Sequence, residues 1–286
     1  MTKAQMLKSL LAEPGAIIAP GCYDGLSARL VHANGFKAAY MTGFGSSASI
    51  LGKPDYGLLT MTEMVNHGRN LANSIDIPLI ADADTGYGNP INVVRTVEEY
   101  ETAGVAAIHI EDQVFPKRCG HMDGKTVIPM AEHVAKIRAA VDARKDMLII
   151  ARTDARAPLG LDEAIRRANA YHNAGADIIF VDAPQSMEEL KIIPKEVKAP
   201  LLINMTEGGK TPIVPVSELE EMGYKIVIYP CLTVFAAHKS MNFVLEALKK
   251  EGSTDSVSSL LEDFGPYNQS LGLDDLQSLE KKYSLD

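Results

Sequence analysis

Eight short, continuous apolar runs constrain the fold of this chain more than any other feature. They are Ala16–Ala19, Ala38–Met41, Leu79–Ala81, Ala106–Ile110, Met147–Ala151, Asp177–Val181, Leu201–Ile203 and Ile226–Ile228. Runs of this length that do not alternate with polar residues suit parallel strands buried on both faces. Helical patterns separate them. Between Ile91 and Ala103, the residues Val93, Val94, Val97 and Tyr100 share one face, and Gly104 follows as a stop. The phrase Ala103-Gly104-Val105 returns as Ala174-Gly175-Ala176, and Gly35 and Gly223 stand in the same place ahead of later runs. Eight βα units with right-handed crossovers predict a closed (β/α)8 TIM-type barrel. No Gly-x-Gly-x-x-Gly follows the first run, which disfavours an open dinucleotide-binding sheet. No Pro/Gly/Ser-rich linker divides the chain. The expected organisation is one barrel over residues 1–252, followed by a C-terminal helical tail over 253–286. That tail is polar with apolar punctuation (Leu260, Leu261, Phe264, Leu271, Leu276, Leu279, Tyr283) and must bury its apolar side on the barrel or on another subunit.

Charge and cysteine usage exclude several function classes. Lys and Arg number 28 against 37 Asp and Glu, a net charge of −9, so the chain lacks the basic excess of a nucleic-acid binder. No apolar run approaches the ~18 residues of a membrane span. The first residues read as a short helix, not a signal peptide. Cys22, Cys119 and Cys231 are far apart and form no CxxC pair, which predicts neither a disulfide framework nor a structural zinc site and suits a reducing cytoplasm.

Reactive groups of such barrels sit at the C-terminal ends of the strands. Here those ends carry Thr42-Gly43-Phe44, Asp82 and Asp84, Glu111 and Asp112, Arg152 and Asp154, Asp182, Asn204, and Tyr229-Pro230. Five acids (Asp82, Asp84, Glu111, Asp112, Asp182) on one rim would repel one another. A divalent cation resolves this, and Mg2+ suits oxygen ligands. The bland alternative is ion pairing with Arg152, Lys117 or Arg118. Lys117-Arg118-Cys119-Gly120-His121 forms a loop made pliable by Gly120 and Gly124. Its positive neighbours are expected to lower the Cys119 pKa, equipping it as acid, base or nucleophile. Cys22 and Cys231 read as small apolar packers, His109 as a hydrogen-bonded interior group, and His67, His133 and His172 as solvated helix residues.

The loop Lys117–His121 resembles the signature loop of the isocitrate lyase / phosphoenolpyruvate mutase superfamily. Five further segments resemble it in the same order: 20–24, 51–55, 82–86, 110–113 and 151–155, with 204–209 completing the series. The cysteine resembles the carbon–carbon lyases of that family, and Glu207–Pro212 resembles its dimethylmalate lyase branch. Pro230 stands where the family's oxaloacetate hydrolases carry Ser, and Asp182 where relatives commonly carry Glu. The resemblance implies Mg2+-dependent cleavage of a 2-hydroxydicarboxylate, such as 2,3-dimethylmalate, to pyruvate and a carboxylic acid, with Mn2+ as a possible substitute.

The same resemblance implies residue roles. Asp82 would be the direct metal ligand, with Asp55, Asp84 and Glu111 around it through water. Thr42, Gly43, Phe44, Gly120, Asp182, Asn204 and Pro230 would line the substrate. Arg152 would hold developing charge, Cys119 would deliver a proton, and Lys117 and His121 would serve on the same loop. The base for the hydroxyl is either Tyr40 or a metal-shell carboxylate. A homotetramer exchanging C-terminal helices is also implied. Rival readings are 2-methylisocitrate lyase, carboxyphosphonoenolpyruvate phosphonomutase and a non-catalytic ligand-binding barrel.

Overall fold

In a computed structural model, which describes residues 1–284, the strands close in sequence order into a parallel barrel. The elements are α1 (Lys3–Ala12), β1 (Ile17–Cys22), α2 (Gly25–Ala33), β2 (Ala39–Met41), α3 (Gly43–Leu51), α4 (Met61–Ser74), β3 (Leu79–Asp82), α5 (Pro90–Thr102) and β4 (Ala107–Glu111). Then come α6 (Met130–Ala143), β5 (Leu148–Thr153), α7 (Arg156–Leu159), α8 (Leu161–Asn173), β6 (Ile178–Val181), α9 (Met187–Glu196), β7 (Leu201–Asn204), α10 (Val216–Met222) and β8 (Ile226–Tyr229). The chain continues through α11 (Leu232–Glu251), a 3-10 turn (Asp255–Leu260), α12 (Phe264–Ser270) and α13 (Leu273–Tyr283). The expected runs and the observed strands agree to within a few residues. The closing pair is β1 with β8, where Ile17 faces Ile226 and Ala19 faces Ile228.

Two apolar cores follow from the period-2 alternation of strand side chains. One set points inward: Ala19, Tyr40, Ile80, Ala107, Ile150, Phe180, Leu202 and Ile228 pack inside the barrel, and Leu7 of α1 joins them. The other set, including Met41, Ala81, Ile108, Ile149, Ile179 and Ile203, packs against the helices. Glycines set the helix-to-strand turns. Gly104, just past the end of α5, has φ +85°, a left-handed conformation that favours a residue without Cβ.

The described chain forms two compact units, Met1–Thr233 and Val234 onward. The division falls near the start of α11, earlier than the expected boundary at 252. In the second unit α11 has no buried residue, and Phe243, Leu245, Leu260, Phe264, Leu276 and Tyr283 are all exposed. Leu285 and Asp286, the last of the expected tail, lie outside the described residues. Among the described residues no helix is long and apolar enough to cross a membrane.

Candidate active site

The inward-pointing rows that fill the barrel also build its mouth. Continuing each row by steps of two from the core leads to Thr42 just past β2, Asp82 at the end of β3 with Asp84 beyond it, and His109 and Glu111 on β4. The same step leads to Arg152 on β5 and Asp154 just past it, Asp182 after β6, Asn204 at the end of β7 with Thr206 beyond it, and Pro230 after β8. Tyr40, Thr42, Phe44, Asp55, Asp82, Cys119, Gly120, His121, Arg152, Asp182, Asn204 and Pro230, all expected site residues, line one cavity of about 40 Å3. Phe180, Thr206, Ile228 and Cys231 complete its wall. Cys231 therefore lines the cavity and is not only a packer. Gly43 sits beside it at the start of α3, so close that a Cβ there would lie 2.3 Å from Asp82 Oδ2.

Asp112 is the exception among the five acids. It follows Glu111 directly and so faces the opposite way, into the layer beneath α8. There its carboxylate accepts from Thr153 Oγ1 (2.8 Å), Tyr171 Oη (2.7 Å), Arg167 Nη1 (3.0 Å) and the Asp154 amide (2.8 Å). Four of the five expected acids, Asp82, Asp84, Glu111 and Asp182, stay at the mouth, where Asp55 and Asp154 join them. His133 is a second correction. It is fully buried against Tyr171, with neither ring nitrogen hydrogen-bonded, and burial lowers its pKa to about 3. His67 and His172 are partly buried and each contacts a backbone carbonyl, of Tyr23 and Ala176 respectively.

Two buried lysines pin the ends of the loop. Lys117 Nζ lies 2.7 Å from Asp55 Oδ1 and 2.7 Å from Asp84 Oδ1. Burial disfavours its charge, but Asp84, Asp55 and Asp82 more than offset that and raise its pKa, so it stays an ammonium ion. Lys125 Nζ lies 2.8 Å from Asp154 Oδ1 and 3.2 Å from Asp182 Oδ2. Between them Gly120 rests directly on the mouth: a Cβ there would fall 2.0 Å from Asp182 Oδ2 and 2.6 Å from Arg152 Nη2. Only glycine permits this approach. His121 Nδ1 accepts from the Lys210 amide at 3.1 Å, and its Nε2 is 3.2 Å from the Asn204 side-chain nitrogen. Lys125 escaped the sequence reading, although its place just past the second loop glycine mirrors that of Lys117.

The expected depression of the Cys119 pKa is reversed. Burial pushes the thiol up to about 11, with Asp55 adding to the effect. Its cationic neighbours are committed elsewhere: Lys117 to Asp55 and Asp84, and Arg118 to the Asp123 carbonyl at 3.0 Å. Cys119 is thus a protonated thiol. Arg152 is also committed. Its Nε and Nη2 grip Asp154 at 2.9 and 3.0 Å, and its guanidinium stacks 5.1 Å above the Phe180 ring. That edge of the fork is not open to a ligand; Nη2 also faces Asp182 Oδ2 at 3.4 Å, so of the five donor hydrogens the two on Nη1 are left.

Tyr40 Oη lies 2.6 Å from His109 Nε2. Burial, with Asp82 nearby, raises the Tyr40 pKa, so it stays a phenol, while burial lowers that of His109 to about 4 and keeps the imidazole neutral. Ligand atoms of Asp82, His109 and Glu111 lie within 4.8 Å of one another. Both Glu111 carboxylate oxygens are buried with no hydrogen-bond partner, and Arg152 Nε is 3.4 Å away. Burial accordingly drives the Glu111 pKa well up. Buried carboxylate oxygens without donors are costly. An oxygen-rich pair with His109 already engaged by Tyr40 fits a hard divalent cation.

The chain is similar to known proteins over nearly its whole length. Residues 7–249 match the phosphoenolpyruvate phosphomutase family. The chain is 47% identical over 286 residues to 2,3-dimethylmalate lyase of Eubacterium barkeri, covering 99% of each chain. It is 46% identical over 281 residues to the chloroplastic carboxyvinyl-carboxyphosphonate phosphorylmutase of Arabidopsis thaliana, covering 96% of this chain and 83% of that one. A crystal structure of 2,3-dimethylmalate lyase superposes with a TM-score of 0.93 at 41% identity, covering 99% of this chain and 95% of the other.

Proposed function

The chain belongs to the isocitrate lyase / phosphoenolpyruvate mutase superfamily, and on that premise we propose that it is a Mg2+-dependent carbon–carbon lyase. Its substrate is a 2-alkylmalate such as 2,3-dimethylmalate, and its products are pyruvate and propionate. The observation that carries this reading is a protonated cysteine on a loop that closes directly over an acid cluster and an arginine. Lyase chemistry needs an acid at that place, because the carbon released by bond cleavage must be protonated.

Asp82 would hold Mg2+ directly, with Glu111, Asp84 and Asp55 around it. When bound, the ion supplies Lewis-acid polarisation of the substrate hydroxyl and carboxylate oxygens. The first turn of α3, Gly43 and Phe44 behind the Thr42 cap, receives the carboxylate on the pyruvate side. Tyr40 is held as a phenol, so it donates and does not abstract. The base is Glu111, whose two buried oxygens have no donor of their own and which, ionised beside Arg152 and the bound cation, would take the 2-hydroxyl proton. The remaining donors of Arg152 meet the charge that develops on the second carboxylate as the C2–C3 bond breaks. Asn204, oriented by Thr206 at 2.8 Å, holds the leaving acid together with His121. Cys119 then gives its proton to the carbanionic carbon. Asp182 keeps Lys125 and Arg152 in place through Oδ2 and turns its unpartnered Oδ1 to the substrate. Pro230 offers no hydroxyl to hold a hydrated ketone.

A cavity of about 40 Å3 admits only a few waters. Loop 117–125 must therefore lift for a dicarboxylate to enter and settle again to exclude solvent. All three cysteines are free, and a thiol acid works best where thiols stay reduced, so we place the protein in the cytoplasm.

Pyruvate release from 2,3-dimethylmalate and from 2-methylisocitrate tests the assignment. The expected result is faster turnover of the former, abolished by EDTA and restored by Mg2+ or Mn2+. Preference for 2-methylisocitrate would transfer the assignment to 2-methylisocitrate lyase. Phosphorus–carbon bond formation seen by phosphorus NMR would indicate a phosphonomutase. Absence of pyruvate from either acid, with no Mg2+ binding, would leave a ligand-binding barrel.

The uncovered apolar side chains of the second unit, Phe264 above all, favour a homotetramer that exchanges C-terminal helices. Truncation before Ser253 should lower the sedimenting mass. An unchanged tetramer would count against exchange through this tail.

A further inference from the structure

A second cavity, of about 640 Å3, lies apart from the barrel mouth, and its size is that of a small-molecule site. Its wall is mainly apolar, with Leu58, Met61, Tyr87, Phe115 and Ile128. The N-terminal turns of three long helices open onto it: Thr60 to Thr62 of α4, Asn89 and Asn92 of α5, and Ile128 to Glu132 leading into α6. Converging helix N-termini favour negative charge.

Lys136 supplies the anchoring observation. It lines this cavity yet is only 5% exposed. Its ammonium donates to the Thr85 carbonyl at 3.1 Å, and the carboxylate that acts on it is Glu132, one turn before it on α6. Two of its three donors are therefore open to another acceptor. The exposed Glu132 carboxylate only partly offsets the cost of burying this ammonium ion, since desolvation still outweighs it. Arg95 is also on the wall, but it is exposed and lies 3.9 Å from Glu99. Glu132 is exposed on the wall as well. One buried cation in an apolar chamber calls for one negative charge on an apolar body.

We propose that this cavity binds an organic monoanion, a carboxylate on an aromatic or branched aliphatic body, with Lys136 as its counter-ion. The site is wired to the loop over the barrel mouth. Gln113 faces the cavity, while its side-chain amide clamps Arg118 from both sides, donating to its carbonyl (2.8 Å) and accepting from its amide (3.0 Å). Phe115 forms part of the wall two residues before Lys117. Occupancy therefore steadies the root of the loop, which makes this an effector site.

Saturation-transfer NMR with benzoate, and with benzamide as its uncharged twin, tests the proposal on the full chain. Benzoate should bind saturably and benzamide at least about tenfold more weakly. Lys136→Met should weaken benzoate about tenfold or more, the size expected for a charge-assisted contact. Arg152→Gln, altered in the barrel mouth, should leave it within about twofold. Benzoate that fails to bind, or benzamide that binds equally, would overturn the proposal. So would benzoate that survives Lys136→Met but is lost in Arg152→Gln, which would put the carboxylate in the barrel mouth. Should Lys136→Met not fold, Ile128→Trp fills the chamber and should cause the same loss. Amide exchange over residues 114–126 should slow with benzoate bound; unchanged exchange would break the link to the loop.

Discussion

Cys119→Ala is expected to lower the rate of pyruvate release by ~10²–10⁴ while substrate still binds. The thiol has no charge to lose: burial holds its pKa at about 11, so it carries its proton throughout the neutral range. The alanine variant removes one donor from a half-buried loop position and leaves the lysines that seat the loop untouched. Calorimetric binding of substrate should therefore change little, and single-turnover pyruvate formation should fall steeply. The sign of the pKa shift adds a check. A thiol that titrates near 11 produces no falling limb between pH 7 and 10 in the wild type. Turnover in Cys119→Ala close to that of the wild type would remove the cysteine from the mechanism.

Asp154→Asn is expected to have the second large effect, on both stability and rate. Asp154 accepts both edge donors of Arg152 and one from Lys125, and its backbone amide is held by Asp112. These groups are almost fully buried, and burial makes the pairing decisive: Arg152 and Lys125 lower the Asp154 pKa far beyond its usual range despite desolvation. Removing one partner of a buried ion cluster strands the others and costs about 3–5 kcal/mol. Denaturant unfolding should register a loss of that order. Arg152 would also lose the anchor that fixes its guanidinium, so the folded fraction should lose ~10²–10³ in kcat, as when one aligned donor is removed from an oxyanion site. A variant that is destabilised but retains wild-type kcat would show that Asp154 supports the fold alone. The same cluster explains why the loop can close with carboxylates at both ends. Each buried lysine meets two acids, so the closed loop neutralises charge that the open mouth would leave exposed to water.

Much of this architecture was legible in the chain itself. Eight apolar runs and the helix-stop glycines ahead of them predict the barrel because a parallel strand buried on both faces must be apolar throughout. The residues at the run ends predicted the mouth because alternation carries an inward row from Ile80 to Asp82 and Asp84, and from Ile150 to Arg152. The same alternation argues that Asp112, next to Glu111, turns away from the mouth, a consequence that grouping acids by proximity in sequence obscures. The family resemblance named a signature loop, and its cysteine indeed lines the cavity beside the acids.

What only the tertiary structure decided is the electrostatic state of those residues. Local sequence surrounds Cys119 with Lys117, Arg118 and His121 and so predicts a lowered pKa. Folding sends Lys117 to Asp55 and Asp84, 62 and 33 positions away, turns Arg118 outward, and buries the thiol, which raises it. Lys125 gains its partners just past the ends of β5 and β6, and Lys136 is buried beside a chamber bordered by three helices with only the exposed Glu132 to offset it. Strand direction and apolar pattern are short-range properties, written residue by residue. Desolvation and Coulomb interaction depend on which distant groups are packed together and how much water they exclude.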